Sequence, residues 1–162
     1  MKKTFHLIMI VLLVCMATAC ASDGSGYLSN DDLKDEKDNM GISIEITSDT
    51  GTYKLSATLF DNSSAEAFYA ALENAPITVD MHDYGSFEKV GSLGRSFPRN
   101  DTQITTEAGD IILYQGNQIT IYYDENTWSF TLLGRIDSVT SSELRTILGK
   151  GKVKAVFSVL EQ

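Results

Sequence analysis

Residues 109–136 read GDIILYQGNQITIYYDENTWSFTLLGRI, and the fold turns on how this stretch is parsed. Three apolar runs, Ile111–Tyr114, Ile119–Tyr123 and Trp128–Leu133, are separated by Gln115-Gly116-Asn117 and Asp124-Glu125-Asn126. β-Branched and aromatic residues bounded by Gly, Asn and Asp are the pattern of consecutive antiparallel strands joined by tight turns. Such a meander cannot bury its inner face alone and needs further strands around it.

Both flanks supply them. Upstream, Ile42, Ile44 and Ile46 alternate with polar residues, as a half-buried strand does. A turn at Ser48–Thr52 leads to a return strand with Tyr53, Leu55, Ala57 and Leu59 on one face. A helix follows: Asp61-Asn62-Ser63 offers caps, Ser63 with Glu66 fits a capping box, and Ala65, Phe68, Tyr69 and Leu72 share a face. Asn74 and Pro76 stop it. Ile77, Val79 and Met81 alternate again. Residues 82–101 are polar and punctuated by Gly, and they read as the longest loop of the domain. Downstream of the central stretch, Ser141 or Ser142 caps a short helix, Glu143–Leu148, which Gly149 and Gly151 end. Val153, Ala155, Phe157 and Val159 make the last strand. About seven to nine short strands and two helices in one domain, residues 41–162, imply a mainly β sandwich or closed barrel.

The N-terminus is a different kind of sequence. Lys2-Lys3 precede the apolar run Phe5–Met16, which has the length of a signal peptide and is too short to span a bilayer. The run ends in Ala17-Thr18-Ala19-Cys20, which resembles a bacterial lipobox, although Ala17 stands where leucine is most common. That resemblance makes residues 1–19 a lipoprotein signal peptide and Cys20 a lipidated N-terminus holding the protein on the membrane of the bacterial cell envelope. Ala21, rather than an aspartate, follows the cysteine and favours the outer membrane where there is one. The plainer alternative is secretion with cleavage near Ala19 or Ala21. Residues 20–40 are acidic, without apolar periodicity, and read as a disordered tether.

Composition narrows the chemistry. Cys15 leaves with the signal peptide and Cys20 carries lipid, so no thiol remains for disulfides, catalysis or metal binding. Without Lys2 and Lys3, 11 basic residues face 22 acidic ones, a formal net charge of −11, which repels nucleic acid. His82 is the one histidine left after processing, too few for a metal centre. Neither a nucleophile elbow nor a Gly-rich phosphate loop is present, and no cofactor is expected. The polar cluster Asp83, Tyr84, Glu88, Lys89 and Arg95 has two readings: salt bridges on a solvated surface, or the lip of a cleft. In the second, Tyr84 and Trp128 are contact surfaces, Glu88 lines the lip and Arg95 is the charged anchor, binding a peptide, an envelope protein or a small molecule.

The order hairpin, helix, strand, loop, meander ending in Gly134-Arg135-Ile136, short helix and last strand resembles cyclophilins. It resembles most the minimal bacterial cyclophilin-like domains of unknown function. The carrying segments are Met81–Leu93, Ile104–Tyr114 and Trp128–Ile136. The resemblance implies a small closed β-barrel of about eight antiparallel strands plugged at its ends by two helices; separately, a monomer is expected. True cyclophilins isomerise X-Pro bonds, with an arginine aimed at the prolyl nitrogen and a signature Arg-x-x-Pro-x-Phe-Met-x-Gln. Here Arg95, Pro98 and Gln103 keep those offsets, which makes Arg95 and Gln103 the catalytic candidates of a divergent isomerase. Asn100-Asp101 replace the apolar pair, and no histidine stands near Phe130–Leu133. The reading favoured by these departures is a binding module without established catalysis.

Overall fold

The computed structural model describes residues 40–161, so the expected signal peptide over residues 1–19, Cys20 and nearly all of the expected tether lie outside the described residues. Nine strands and two helices follow one another as β1 (Gly41–Ser48), β2 (Gly51–Leu59), α1 (Ser63–Asn74), β3 (Ile77–Tyr84), β4 (Glu88–Ser92), β5 (Thr102–Thr105), β6 (Asp110–Tyr114), β7 (Gln118–Tyr122), β8 (Thr127–Ile136), α2 (Ser141–Leu148) and β9 (Val153–Val159). All pairings are antiparallel. The sheet order is β2-β1-β9-β3-β4-β7-β6-β8-β5, and an additional β2–β8 pairing closes the first eight strands into a barrel. β5 is the extra strand, hung on the first half of β8.

The expected strands are present, but their pairing differs from a simple meander. β6 and β7 form the hairpin read from Gln115–Asn117. β8 then pairs with the far edge of β6 instead of with β7, whose other neighbour is β4. The reason is geometric: ten residues of β8 serve three partners, β5, β6 and β2, and only that position lets Ala57–Leu59 meet Gly134–Ile136 and close the barrel. The loop expected over 82–101 is a hairpin in its first half, since β3 runs on to Tyr84 and β4 begins at Glu88. Only residues 93–101 are irregular.

Closure gives the wall two faces, and alternation assigns residues to each. Inward side chains of β1, β2, β3, β6, β7, β8 and β9, including Ile42, Ile44, Ile46, Val79, Met81, Ile119, Ile121 and Phe157, form the interior core. α1 adds Ala65, Phe68 and Leu72, with Phe68 meeting Phe157 edge-on at 5.9 Å. α2 adds Leu144 and Leu148. The helices cover opposite ends: α1 follows the far end of β2, while α2 sits over the β1–β2 turn, where Ser48 Oγ donates to the Ile147 carbonyl at 2.7 Å. The α1 cap is one of the three the sequence offers, without the Ser63–Glu66 capping box, and the α2 cap falls one residue before Ser141. Asn62 caps α1, its Oδ1 accepting from Ser64 N and Ala65 N, because its Nδ2 is also held by the Leu132 carbonyl. Thr140 caps α2 in a capping box with Glu143.

A second, smaller cluster lies on the outer face of the β7-β6-β8 wall: Ile112, Tyr122 and Phe130, flanked by Phe87, Ile104, Tyr114 and Leu132. The continuous apolar runs of β6 and β7 exist because both faces of this wall are covered.

Candidate functional site

The outer cluster does not close completely. Between the β3–β4 turn and the first half of β8 it leaves a cleft of about 170 Å³ lined by Tyr84, Phe87, Glu88, Tyr114, Tyr122, Asn126, Trp128 and Phe130. Each side chain is delivered by register. Tyr84 faces Glu88 across β3 and β4, Glu88 faces Tyr122 across β4 and β7, and Trp128 faces Ile104 across β8 and β5. The rings pack against one another: Phe87 stacks on Tyr122 at 5.9 Å, Tyr84 meets Phe87 edge-on at 6.1 Å, and Phe130 contacts Tyr122 and Tyr114. Tyr84 and Trp128, each 62% exposed, form the rim, and both are among the few large apolar side chains left open to solvent.

Glu88 sits in the floor, 6% exposed, with its Oε2 buried and without a hydrogen-bond partner. Burial pushes its carboxyl above the ordinary range, and a hydrogen bond from the Tyr122 hydroxyl only partly offsets this. The Tyr122 hydroxyl is raised in turn, by burial and then by the carboxyl beside it. Asn126 Nδ2 donates to that hydroxyl at 3.4 Å. A buried acceptor left unpaired costs on the order of 1–3 kcal/mol, so it asks for a donor.

The neighbouring residues Asp83 and Lys89 belong to another structure. Lys89 is fully buried, which corrects the surface salt-bridge reading. Because Lys89 alternates with Glu88 on β4, it points to the opposite face. Its Nζ reaches Asp83 Oδ1 at 2.9 Å and the carbonyls of Gly151 and Gly149 at 2.7 and 3.3 Å. Burial alone raises the Asp83 carboxyl. Hydrogen bonds from Lys89, the Gly151 N–H and Tyr123 outweigh that and hold it below its ordinary value. Beside this group lies a larger hollow of about 400 Å³ lined in part by Asp83, Tyr123 and Arg145. Arg145 is paired there with Asp124 and the Tyr123 ring, and Asp83 with Lys89 and Tyr123, while Ser86 and Lys150 complete the polar lining. The aromatic cleft is the better site because, of the two, it alone joins open rings to a buried carboxylate oxygen without a partner.

Of the residues singled out from the sequence, Tyr84, Glu88 and Trp128 converge in the cleft, and Arg95 and Gln103 do not line it. Arg95 is exposed on the 93–101 segment, which is tied to the β6–β7 turn through Leu93 N to the Asn117 carbonyl and Phe97 N to the Gly116 carbonyl. Gln103 pairs with Ser129 and projects from the other face of the β5–β8 ribbon from Trp128. Asn100 and Asp101, which stand in the signature's apolar positions, are fastened into the scaffold. Asn100 Oδ1 accepts from Ser64 N at 3.1 Å, and Thr131 Oγ1 donates to Asp101 Oδ1 at 2.5 Å. Phe87, Tyr114, Tyr122, Asn126 and Phe130 were not singled out beforehand. Tyr122 and Tyr114 carried a signal in the unbroken apolar runs, while Phe87 and Asn126 carried none. His82 lies exposed on β3, and among the described residues no cluster of His, Cys, Asp and Glu is suited to a metal ion. No helix of the described residues is long and apolar enough to cross a membrane.

The model of the cyclophilin-like family matches residues 48–158, most of the chain. The solution structure of a hypothetical protein from Archaeoglobus fulgidus is similar at a TM-score of 0.53 and 16% identity, covering 77% of this chain and 99% of that one. So low an identity carries the fold alone. No curated protein matches the sequence. With a barrel of eight strands closed on itself and a family match that takes in all of them but β1, this chain belongs to the cyclophilin-like family.

Proposed function

We propose that the protein is a lipid-anchored binding module of the bacterial cell envelope, taking a peptide side chain or a small molecule in the cleft between Tyr84 and Trp128. The observation that carries this reading is the cleft itself: an aromatic box with an open rim around a buried carboxyl whose Oε2 lacks a partner. Aromatic rims that keep one edge wet are the usual furniture of recognition sites. A prolyl isomerase reading through Arg95 and Gln103 draws less support, because neither residue lines the cleft and the signature's apolar pair is Asn100 and Asp101. The anchor rests on the sequence Phe5–Met16 followed by Ala17-Thr18-Ala19-Cys20, and the outer membrane on Ala21. A monomer is the working assembly.

The chain has a single tryptophan, so its fluorescence reports on Trp128 alone. Titration with a set of short peptides and small molecules should give saturable change for at least one class, with affinity lost in Trp128→Phe and Tyr84→Ala by a second method. Exchange of an X-Pro peptide followed by NMR should stay at the uncatalysed rate of tens of seconds. Acceleration that disappears in Arg95→Ala would replace the binding reading with the enzymatic one. Incorporation of labelled palmitate in a bacterial host, abolished by Cys20→Ser, checks the anchor.

A further inference from the structure

We infer that the group the cleft takes is a primary alkylammonium, carried on a lysine side chain or on a free amine. This rests on the binding reading above and names its ligand chemistry. Three observations converge on it. Glu88 is the one charged residue lining the cleft; the others are Tyr84, Phe87, Tyr114, Tyr122, Asn126, Trp128 and Phe130. Its Oε2 is buried, unpartnered and more than nine-tenths shielded with the rest of the side chain, so a ligand must bring a hydrogen-bond donor. The rest of the lining is mostly aromatic, and ring faces, which carry the negative side of the quadrupole, favour a cation over an anion.

The same features choose among cations. A quaternary ammonium has no N–H and would leave Oε2 unpaired. A guanidinium works best with both carboxylate oxygens, yet the Tyr122 hydroxyl already bonds this carboxyl. An ammonium on an alkyl stem needs one oxygen and a narrow apolar passage. A cleft of about 170 Å³ is smaller than the ~300–1,000 Å³ of sites for drug-sized ligands, and suits a side chain. The competing charges lie elsewhere. Lys89 points to the opposite face and is held by Asp83 and two carbonyls. His82 and Asp80 project from β3 outside the lining, and Lys154 is bound to Asp80. The Tyr122 hydroxyl that faces Glu88 from β7 is raised by burial and adds no charge to the cleft. An acidic protein also draws cations toward its surface before any contact is made.

The test follows Trp128 fluorescence of the full chain at pH 7.5 and fixed ionic strength, with n-butylamine, a doubly blocked lysine, tetramethylammonium and 1-butanol as probes. Butylammonium or blocked lysine should saturate at a concentration at least tenfold lower than butanol or tetramethylammonium, and Glu88→Gln should raise that concentration at least tenfold. Tighter binding of blocked lysine points to a peptide or protein source, and tighter binding of butylamine to a small amine. Butanol binding as well as butylamine to the unmodified protein overturns the inference without needing any variant, and leaves the binding module standing. A Glu88→Gln protein that binds the amine unchanged overturns it too. If none of the four probes moves Trp128, the ammonium assignment falls, while the wider peptide and small-molecule titration separately decides whether the cleft binds at all.

Discussion

Gly134→Ala is the sharpest perturbation of the barrel. The seam between β2 and β8 consists of three residue pairs, Ala57↔Ile136, Thr58↔Arg135 and Leu59↔Gly134, so each matters. A Cβ on Gly134 would lie 2.4 Å from the Thr58 carbonyl oxygen and 2.8 Å from the Leu59 Cα, and backbone cannot rotate away as a side chain can. The strands must separate. A small shift costs about 1–3 kcal/mol, as overpacking does elsewhere. If the seam opens instead, Leu59 and Ile136, now 4% and 2% exposed, lose burial worth roughly 1.5–3 kcal/mol each. For a domain of roughly 120 residues the unfolding entropy is about 250 cal/mol/K, so each kcal/mol lowers Tm by about 4 °C. Gly134→Ala should therefore unfold roughly 4–12 °C earlier if the barrel adjusts, and roughly 12–24 °C earlier if it opens. Gly94→Ala is the control: nothing lies within 4 Å of its Cβ, and only the left-handed φ of 67° is penalised, by about 1–2 kcal/mol. Circular dichroism gives the two Tm values. Amide exchange at Phe60 and Asp137, which donate to Leu133 and Ser56 beside the seam, shows where the structure has loosened. A Gly134→Ala protein with unchanged Tm and unchanged exchange at those amides would refute the closed seam.

Lys89→Met should cost about 2 kcal/mol, because the lost charged hydrogen bonds, worth roughly 1.5–3 kcal/mol each, outweigh the relief of ammonium desolvation; the urea midpoint at constant m-value measures it. Thr131→Val should cost about 1–2 kcal/mol by leaving Asn100 N and Asp101 Oδ1 without their shared hydroxyl, while amine binding at the cleft stays unchanged. Glu88 gives a pH prediction whose sign is fixed. Its folded carboxyl is raised above the unfolded value of 4.5, so the stability it contributes is complete below about pH 4.5 and is lost as pH rises through the folded value. Unmodified protein should thus gain stability relative to Glu88→Gln on acidification from neutral pH, in paired denaturant titrations. Asp83 and Asp101, both lowered on folding, lose stability as pH falls through their folded values and cancel in the comparison.

The sequence shows the strands most clearly where one face meets water. Ile42, Ile44 and Ile46 alternate cleanly because their neighbours on β1 do not share the interior, and the first and last strands were legible for that reason. β8 could be located but not partnered, since alternation says which residues face inward and nothing about which strand lies beside them. Residues 82–92 looked like a loop because charged residues occupy both faces. Lys89 enters the barrel wall only because the Gly149 and Gly151 carbonyls, some sixty residues away, wait for its ammonium. Glu88 faces the opposite way, into an aromatic box. Local pattern cannot reveal that Tyr84, Glu88 and Trp128 meet, because their meeting depends on β4 pairing with β7 and β8 passing to the far side of β6. The offsets of Arg95 and Gln103 were readable, but offsets along a chain do not fix which face a strand presents, and Gln103 presents the other one.

Whether ligands enter the cleft between Tyr84 and Trp128 is decided by a chemical-shift map of the isotope-labelled protein against a library of small amines, peptides and neutral fragments. The largest saturable shifts should fall on the Trp128 indole N–H and on the backbone of Tyr84, Glu88 and Tyr122. Shifts concentrated at Asp83, Tyr123 and Arg145, or along the 93–103 segment around Arg95, would contradict that and move the site elsewhere.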